Sequence, residues 1–456
     1  MTGSTEHPSD EALEAHLLGR SGWPGAIDAG MHLLAGCPRC CRSARERLVG
    51  RARVRRELAR SVLARGPGEG GPVEGFAAEL AAWGVLAAAA DAAAPALEAE
   101  LLGVAAAERA GEVQTNPRFQ SQGLARRLTA RAREEGFREP PRAVELGELA
   151  VEVAESLERA GYPATLAADA RAMAWAALGN ARRIATDLFG AERAFRAARE
   201  HLAEGSGFAR DTIEYWSLLG SLRRSQTQFA ESRRVLEKAL ELARRVGARD
   251  LEATIVLKLA KTLGEAGDPQ AAVGLLEEAA PLLDRSGPED LSHYGFQALA
   301  AWLAELNRPQ EARTALERVR DIWLSRMTGQ ADRLRLDWLE ARVLWAEGDR
   351  STAAEVLHRV QRAFRDLDAW YDVALVDMDL AVLYLEDGRT DEVRRLAREM
   401  LPVFTSRALH RRAAAALVLF QRAVEAEEVT TTWVRSLARY LRHARGNPFL
   451  TFQPPS

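Results

Sequence analysis

The chain has 456 residues, of which 47% are apolar and 28% charged, and its formal net charge is −3. A nearly neutral chain has no overall attraction to nucleic acid or to a membrane surface. The sequence starts with polar and acidic residues, and its longest apolar stretch (80–90) is far shorter than the ~20 residues needed to span a bilayer. We therefore expect a soluble, cytoplasmic protein. Because Ala, Leu, Glu and Arg dominate, we expect helices throughout.

All three cysteines lie in one short segment, MHLLAGCPRCC at 31–41. Cys37 and Cys40 have the C-x2-C spacing that lets two thiolates bind one zinc ion. His32, near the end of a predicted helix, is positioned to be a third ligand, and His7 is the natural candidate for the fourth. A metal-free remnant of such a site and a redox pair are the alternatives; no predicted βαβ unit supports the redox pair.

This segment resembles the zinc-binding anti-sigma domain of bacteria over residues 6–60. In that family an early His or Cys, a helix that begins with D-x2-L, and an H-x3-C-x2-C motif surround one zinc ion. Here Asp10 follows His7, and His7 precedes His32 by 25 residues. The spacing from His32 to Cys37 is one residue longer than in the family, which rotates a helical histidine by about 100°. The resemblance implies a structural zinc and a sigma factor, or another transcription component, as the partner.

Two further segments separate this module, residues 1–65, from the repeats. Residues 42–66 contain nine arginines against two glutamates and predict a strongly basic helix, which we interpret as a protein-contacting helix. Contact with nucleic acid is the alternative, although no aromatic residue interleaves to stack on bases. Residues 66–76 contain five glycines and two prolines, so we expect a linker followed by Ala-rich helices over 66–116.

A pattern then recurs every 40 or 41 residues. Trp175 and Trp216 each begin W-x2-L-G, followed twelve positions after the glycine by a small residue and four later by a large apolar one. The first small residue recurs at Gly179, Gly220, Ala260, Ala300, Ala341 and Ala381, the second position at Ala191, Ser232, Ala272, Ala312, Ala353 and Val393, and the large one at Phe195, Leu236, Leu276, Leu316, Leu357 and, more weakly, Ala397.

This is the spacing of tetratricopeptide (TPR) repeats, in which two antiparallel helices approach at small residues and a bulky residue fills the adjacent gap. It predicts an all-α fold, a right-handed TPR-like α-solenoid of about seven to eight hairpins over 117–445, with a tail at 446–456. Turn residues that favour positive φ are expected at Gly267, Asn307, Gly348 and Gly388. The whole layout resembles a group of bacterial, mostly acidobacterial, TPR proteins with a leading anti-sigma-like finger, shown by segments such as NPRFQSQGLARRL (116–128).

The candidate binding residues lie on the first helix of each pair, because this helix usually lines the ligand-binding surface of a TPR stack. Positions one and four after the aligned small residue should face that surface; they are Asn180, Arg183, Ser221, Arg224, Lys261 and Arg342. This row of amides and cations would hold a peptide carboxylate or main chain. The alternative is that Arg183 and Arg224 only pair with neighbouring acidic residues.

No nucleotide-binding, metalloprotease or serine-hydrolase motif occurs in the sequence, so we expect no enzyme activity. The favoured function is a regulatory adaptor: the N-terminal module binds a transcription component, while the repeats bind a peptide or protein. The alternatives are a pure assembly scaffold whose N-terminal module is a structural cap, and nucleic-acid contact through residues 42–65.

Overall fold

The computed structural model describes residues 7–9, 11–13, 90–136, 138–162, 164–286, 289–324, 330–406, 411–447 and 450–455, and within these ranges all regular structure is helical. The predicted all-α fold is thereby confirmed. His7 is described and exposed. The other predicted zinc ligands, His32, Cys37 and Cys40, and the basic segment 42–66 lie outside the described residues, so the zinc site stays a prediction. None of the described helices is long and apolar enough to cross a bilayer.

The chain divides into two compact units: the described part of Met1–Ala181 with Ala194–Phe208, and Arg182–Arg193 with Ala209–Ser456. In the first unit a helix at 90–103 precedes α1 (Arg109–Thr115), α2 (Gln122–Glu135) and α3 (Pro140–Ser156). Gly123 lies against the first of these helices, where a Cβ atom would come within 2.2 Å of the carbonyl oxygen of Ala90. Helices α4 (Ala164–Ile184) and α5 (Leu188–Glu204) each contribute residues to both units.

The second unit is built from helices that pack successively on one another. They are α6 (Ala209–Ser225), α7 (Phe229–Val246), α8 (Arg249–Glu265), α9 (Pro269–Ser286), α10 (Glu289–Glu305), α11 (Pro309–Leu324), α12 (Gln330–Ala346), α13 (Arg350–Asp366), α14 (Trp370–Glu386), α15 (Thr390–Ser406), α16 (Arg411–Glu425) and α17 (Thr431–Ala444). The first helices of successive pairs, α6, α8, α10 and α12, also contact one another. The predicted TPR-like stack of hairpins is therefore present.

Small-against-bulky packing holds each pair together, as the repeat predicts. All the aligned small and large positions are buried. In the first pair of the second unit, a Cβ atom on Gly220 would come within 2.5 Å of Cγ of Leu236, so only glycine fits this spacing of α6 and α7. Ser232 Oγ also donates a hydrogen bond of 2.8 Å to the carbonyl oxygen of Gly220. Gly220 thus allows the two helices to approach closely, and Ser232 adds a hydrogen bond between them.

The turns inside the pairs all contain a left-handed residue seven positions after the aligned small residue. Gly267, Asn307, Gly348 and Gly388 have positive φ, as predicted. Thr186 and Thr227 occupy the same place in the two earliest pairs, with φ of 67° and 60°. Threonine rarely adopts this conformation, so a threonine in the sequence does not indicate these two turns.

The last helix departs from the hairpin pattern. Helix α17 packs chiefly against α14 and only slightly against α16. Its predicted core residues, Trp433, Leu437 and Tyr440, are buried. The Trp433 ring stacks on Phe420 of α16, with centroids 5.5 Å apart. Because α17 crosses onto α14, it also reaches first helices that are far away in the sequence.

Candidate protein-binding surface

The predicted partner-binding residues divide into buried and partly exposed side chains. Asn180, in the first unit, and Ser221 are buried. Ser221 Oγ donates a 3.2 Å hydrogen bond to the carbonyl oxygen of Ser217 in its own helix. Four longer side chains of the second unit are partly exposed, and we call them the cation row: Arg183, Arg224, Lys261 and Arg342.

Hydrogen bonds between neighbouring first helices recur at about the repeat interval. Arg224 Nη1 donates to Glu265 Oε1 of α8 at 2.7 Å, and Arg183 Nη1 donates to Ser225 Oγ at 3.4 Å. Later in the stack, Trp338 Nε1 donates to Asp379 Oδ2 of α14 at 2.7 Å. Pairing of Arg224 with a neighbouring acid was the alternative interpretation of this residue, and this pairing is present.

Burial and a neighbouring charge disfavour the charged forms of two members of the cation row. Burial and, to a smaller extent, the nearby charge of Arg224 lower the pKa of Arg183 to about 9. Burial and Arg224 likewise lower the pKa of Lys261 to about 8, while Glu265 acts in the opposite direction. The Lys261 ammonium lies 5.2 Å from the ring centroid of Tyr294, a cation–π contact. Since the charge of Arg224 lowers the pKa of both Arg183 and Lys261, an anion close to them would favour their charged forms.

The C-terminal end of α17 lies close to Glu265, the carboxylate that accepts the hydrogen bond from Arg224 of the cation row. His443 Nε2 lies 3.9 Å from Glu265 Oε2, and the His443 ring lies edge-on to Phe229 with centroids 5.4 Å apart. Burial lowers the pKa of His443, and Arg442, Arg224 and Arg439 lower it further, whereas Glu265 raises it. Sequence reasoning missed these α17 residues because the repeat pattern carries no signal for a contact between the last helix and α8.

Arg442 of α17 stands among charges from several first helices. Its side chain is accessible to water. Desolvation by the surrounding protein and the charge of Arg342 lower its pKa, while Asp379, Glu265 and Glu305 raise it. Arg342 lies 3.7 Å from Asp379 and 3.8 Å from Glu305, so it shares two of these carboxylates with Arg442. The arrangement brings arginines together with carboxylates of several first helices.

Residues 211–285, which span α6 to α9, match the family model described as tetratricopeptide repeat. No curated protein matches the chain. Similar solved structures include apo RapI (14% identity, 79% of this chain and 97% of that chain, TM-score 0.47). Others are aspartyl phosphate phosphatase F from Bacillus subtilis (10%, 93% and 96%, 0.42) and BtubC from P. vanneervenii (21%, 50% and 92%, 0.42). At such identities and TM-scores, these likenesses carry nothing about function.

Proposed function

We propose that this protein is a non-enzymatic interaction adaptor whose cation row binds a segment of a protein partner. One observation carries the proposal: Arg183, Arg224 and Lys261 lie on three successive first helices of TPR-like hairpins, and the charge of Arg224 lowers the pKa of the other two. TPR-like hairpins stack to form extended surfaces that bind other chains.

The chemistry of the row favours a carboxylate-bearing segment. A guanidinium offers paired N–H donors that match a carboxylate, and an ammonium adds a point charge. A bound carboxylate would offset the repulsion between Arg224 and its two neighbours, since an anion close to each of them favours its charged form. The half-buried ring of Trp345 provides apolar area further along the first helices, on α12.

A display selection on the immobilised full-length chain tests this proposal. Random peptides with free C-termini are selected for binding, and we expect enrichment of Asp, Glu and C-terminal carboxylates. Arg224→Ala and Lys261→Ala should each weaken binding of the enriched peptides at least tenfold. Arg233→Ala is the matched control, because Arg233 lies exposed on a second helix and pairs with Glu237. Enrichment that persists unchanged in both row variants would refute the proposal.

The N-terminal module carries a finer proposal: that the adaptor acts in bacterial transcription regulation through a sigma factor or a similar component. Only the anti-sigma resemblance of residues 6–60 supports it. The test is co-purification from bacterial cells with the full chain and with a chain that lacks residues 1–65. A transcription protein should be recovered with the first chain only. Equal recovery with both chains would favour the scaffold alternative, in which the module is a structural cap.

A further inference from the structure

We infer that α17 forms a second wall of the binding site, so that an acidic partner segment lies between the cation row and Arg442 and His443. This inference rests on the proposed function, because it assumes that the partner uses the first-helix surface. It adds a part of the chain that the repeat pattern does not include, and it specifies the partner as a polypeptide with carboxylate side chains.

An apolar face of α17 packs against the core of the second unit and holds the helix in place. Val434, Leu437 and Leu441, spaced three and four residues apart, are fully buried in the same cluster as Met378 and Val382 of α14. On another side, the rings of Trp433 and Tyr440 each lie within about 5.3 Å, centroid to centroid, of the Phe452 ring. A helix held on two sides is a rigid support for the residues on its remaining side.

Ion pairs at both ends set the position of α17 along α14. Arg435 lies 3.5 Å from Glu386 near the end of α14, and Arg445 lies 3.1 Å from Asp372 near its beginning. Helix α17 therefore runs antiparallel to α14, and its C-terminal turn points to the end of α8. There the guanidinium of Arg439 lies 3.6 Å from the position that a Cβ atom on Gly267 would occupy.

Two cations at this meeting point have no direct ion pair. Within the described residues, neither Arg442 nor Lys261 has a hydrogen-bond or ion-pair partner, and the Lys261 ammonium lies over the Tyr294 ring. The buried atoms Glu265 Oε2 and His443 Nε2 also have no hydrogen-bond partner, and their separation of 3.9 Å is too long for one. The site thus presents two cations without an ion pair, together with the exposed carboxylate of Glu305.

This combination selects a polypeptide over a simple polyanion. A peptide carboxylate would pair with Arg442 or Lys261, and a main-chain N–H of the same segment would donate to the exposed carboxylate of Glu305. A nucleic acid backbone offers phosphates but no N–H donor for this carboxylate. The geometry therefore fits an acidic chain segment.

The test uses fluorescence anisotropy on the full-length chain with a labelled peptide of alternating Glu and Ala, eight residues long. Arg442→Gln should weaken binding at least tenfold. Arg422→Gln, an exposed arginine on α16, is the control and should stay within twofold of the wild type. A labelled eight-nucleotide thymidine strand should bind the wild type at least tenfold more weakly than the peptide. Circular dichroism verifies that each variant is folded.

Three results would overturn the inference: peptide binding that Arg442→Gln leaves unchanged, a thymidine strand that binds as tightly as the peptide, or no peptide binding to the wild type. The proposed function is judged separately. If Arg224→Ala weakens peptide binding and Arg442→Gln does not, the first-helix surface binds the partner and the second wall is wrong. If neither variant weakens peptide binding, the proposed function and the second wall are both wrong.

Discussion

Replacing Gly220 by alanine tests the packing on which the stack depends. A Cβ atom there would lie 2.5 Å from Cγ of the fully buried Leu236, so α6 and α7 must separate slightly or Leu236 must leave its rotamer. Overpacking of this kind costs about 1–3 kcal/mol. The better helix propensity of alanine returns about 0.5–1 kcal/mol. We therefore expect a net loss of about 1–2 kcal/mol in the free energy of unfolding.

Gly274→Ala is the matched control, since Gly274 lies inside helix α9 with nothing within 4 Å of its Cβ position. There only the propensity acts, and a gain of about 0.5–1 kcal/mol is expected. The assay is urea unfolding followed by circular dichroism, in which the two variants should shift the midpoint in opposite directions. Leu236→Ala should also cost less in the Gly220→Ala background than alone. Equal midpoints for the two glycine variants would refute the small-against-bulky account.

Three other outcomes follow from single side chains. Burial raises the pKa of Asp377 to about 7, whereas its pKa in the unfolded chain is 3.8. Raising the pH above 3.8 therefore destabilises the fold, because the buried carboxyl group must ionise. Asp377→Asn should be more stable than the wild type by about 1–3 kcal/mol at pH 8, and no more stable at pH 3. The pKa of His443 lies below 6.5 in the fold, so acidification below that pH should reduce stability in urea unfolding, and His443→Gln should reduce this loss. Metal analysis should find one zinc per wild-type chain or Cys41→Ser chain, and none in Cys37→Ser.

The repeat was predictable because its signal is local. Each hairpin needs a small residue and a bulky one about sixteen positions later, and this requirement is met within some forty residues of sequence. The turns were partly predictable. Gly267 and Asn307 are residue types that tolerate positive φ, so they indicate such a turn in the sequence. Thr186 has a positive φ because the packed helices on both sides impose the turn. The phase of the repeat also predicts that Arg224 and Lys261 face outward, and both side chains are partly exposed.

The length of the side chain explains why position in the repeat did not always predict exposure correctly. Ser221 and Lys261 both follow the aligned small residue directly, yet Ser221 is buried and Lys261 is partly exposed. A short hydroxyl at this position bonds to its own helix, while a four-carbon stem carries the ammonium out to the surface. Position in a repeat therefore predicts the direction of a side chain, and its length decides whether the polar group reaches the surface.

Arginine is so frequent in this sequence that one arginine alone indicates little. The structure separates them by their partners: Arg233 pairs with Glu237 four residues away, and Arg224 with Glu265 about one repeat away. Exposed pairs of the first kind contribute about 0–1 kcal/mol and need no partner protein to explain them. Arg442 differs, because it lies near Arg342 and near carboxylates that other cations share, and within the described residues it has no ion pair of its own. A cation without an ion pair of its own is the one that gains most from the carboxylate of an outside ligand.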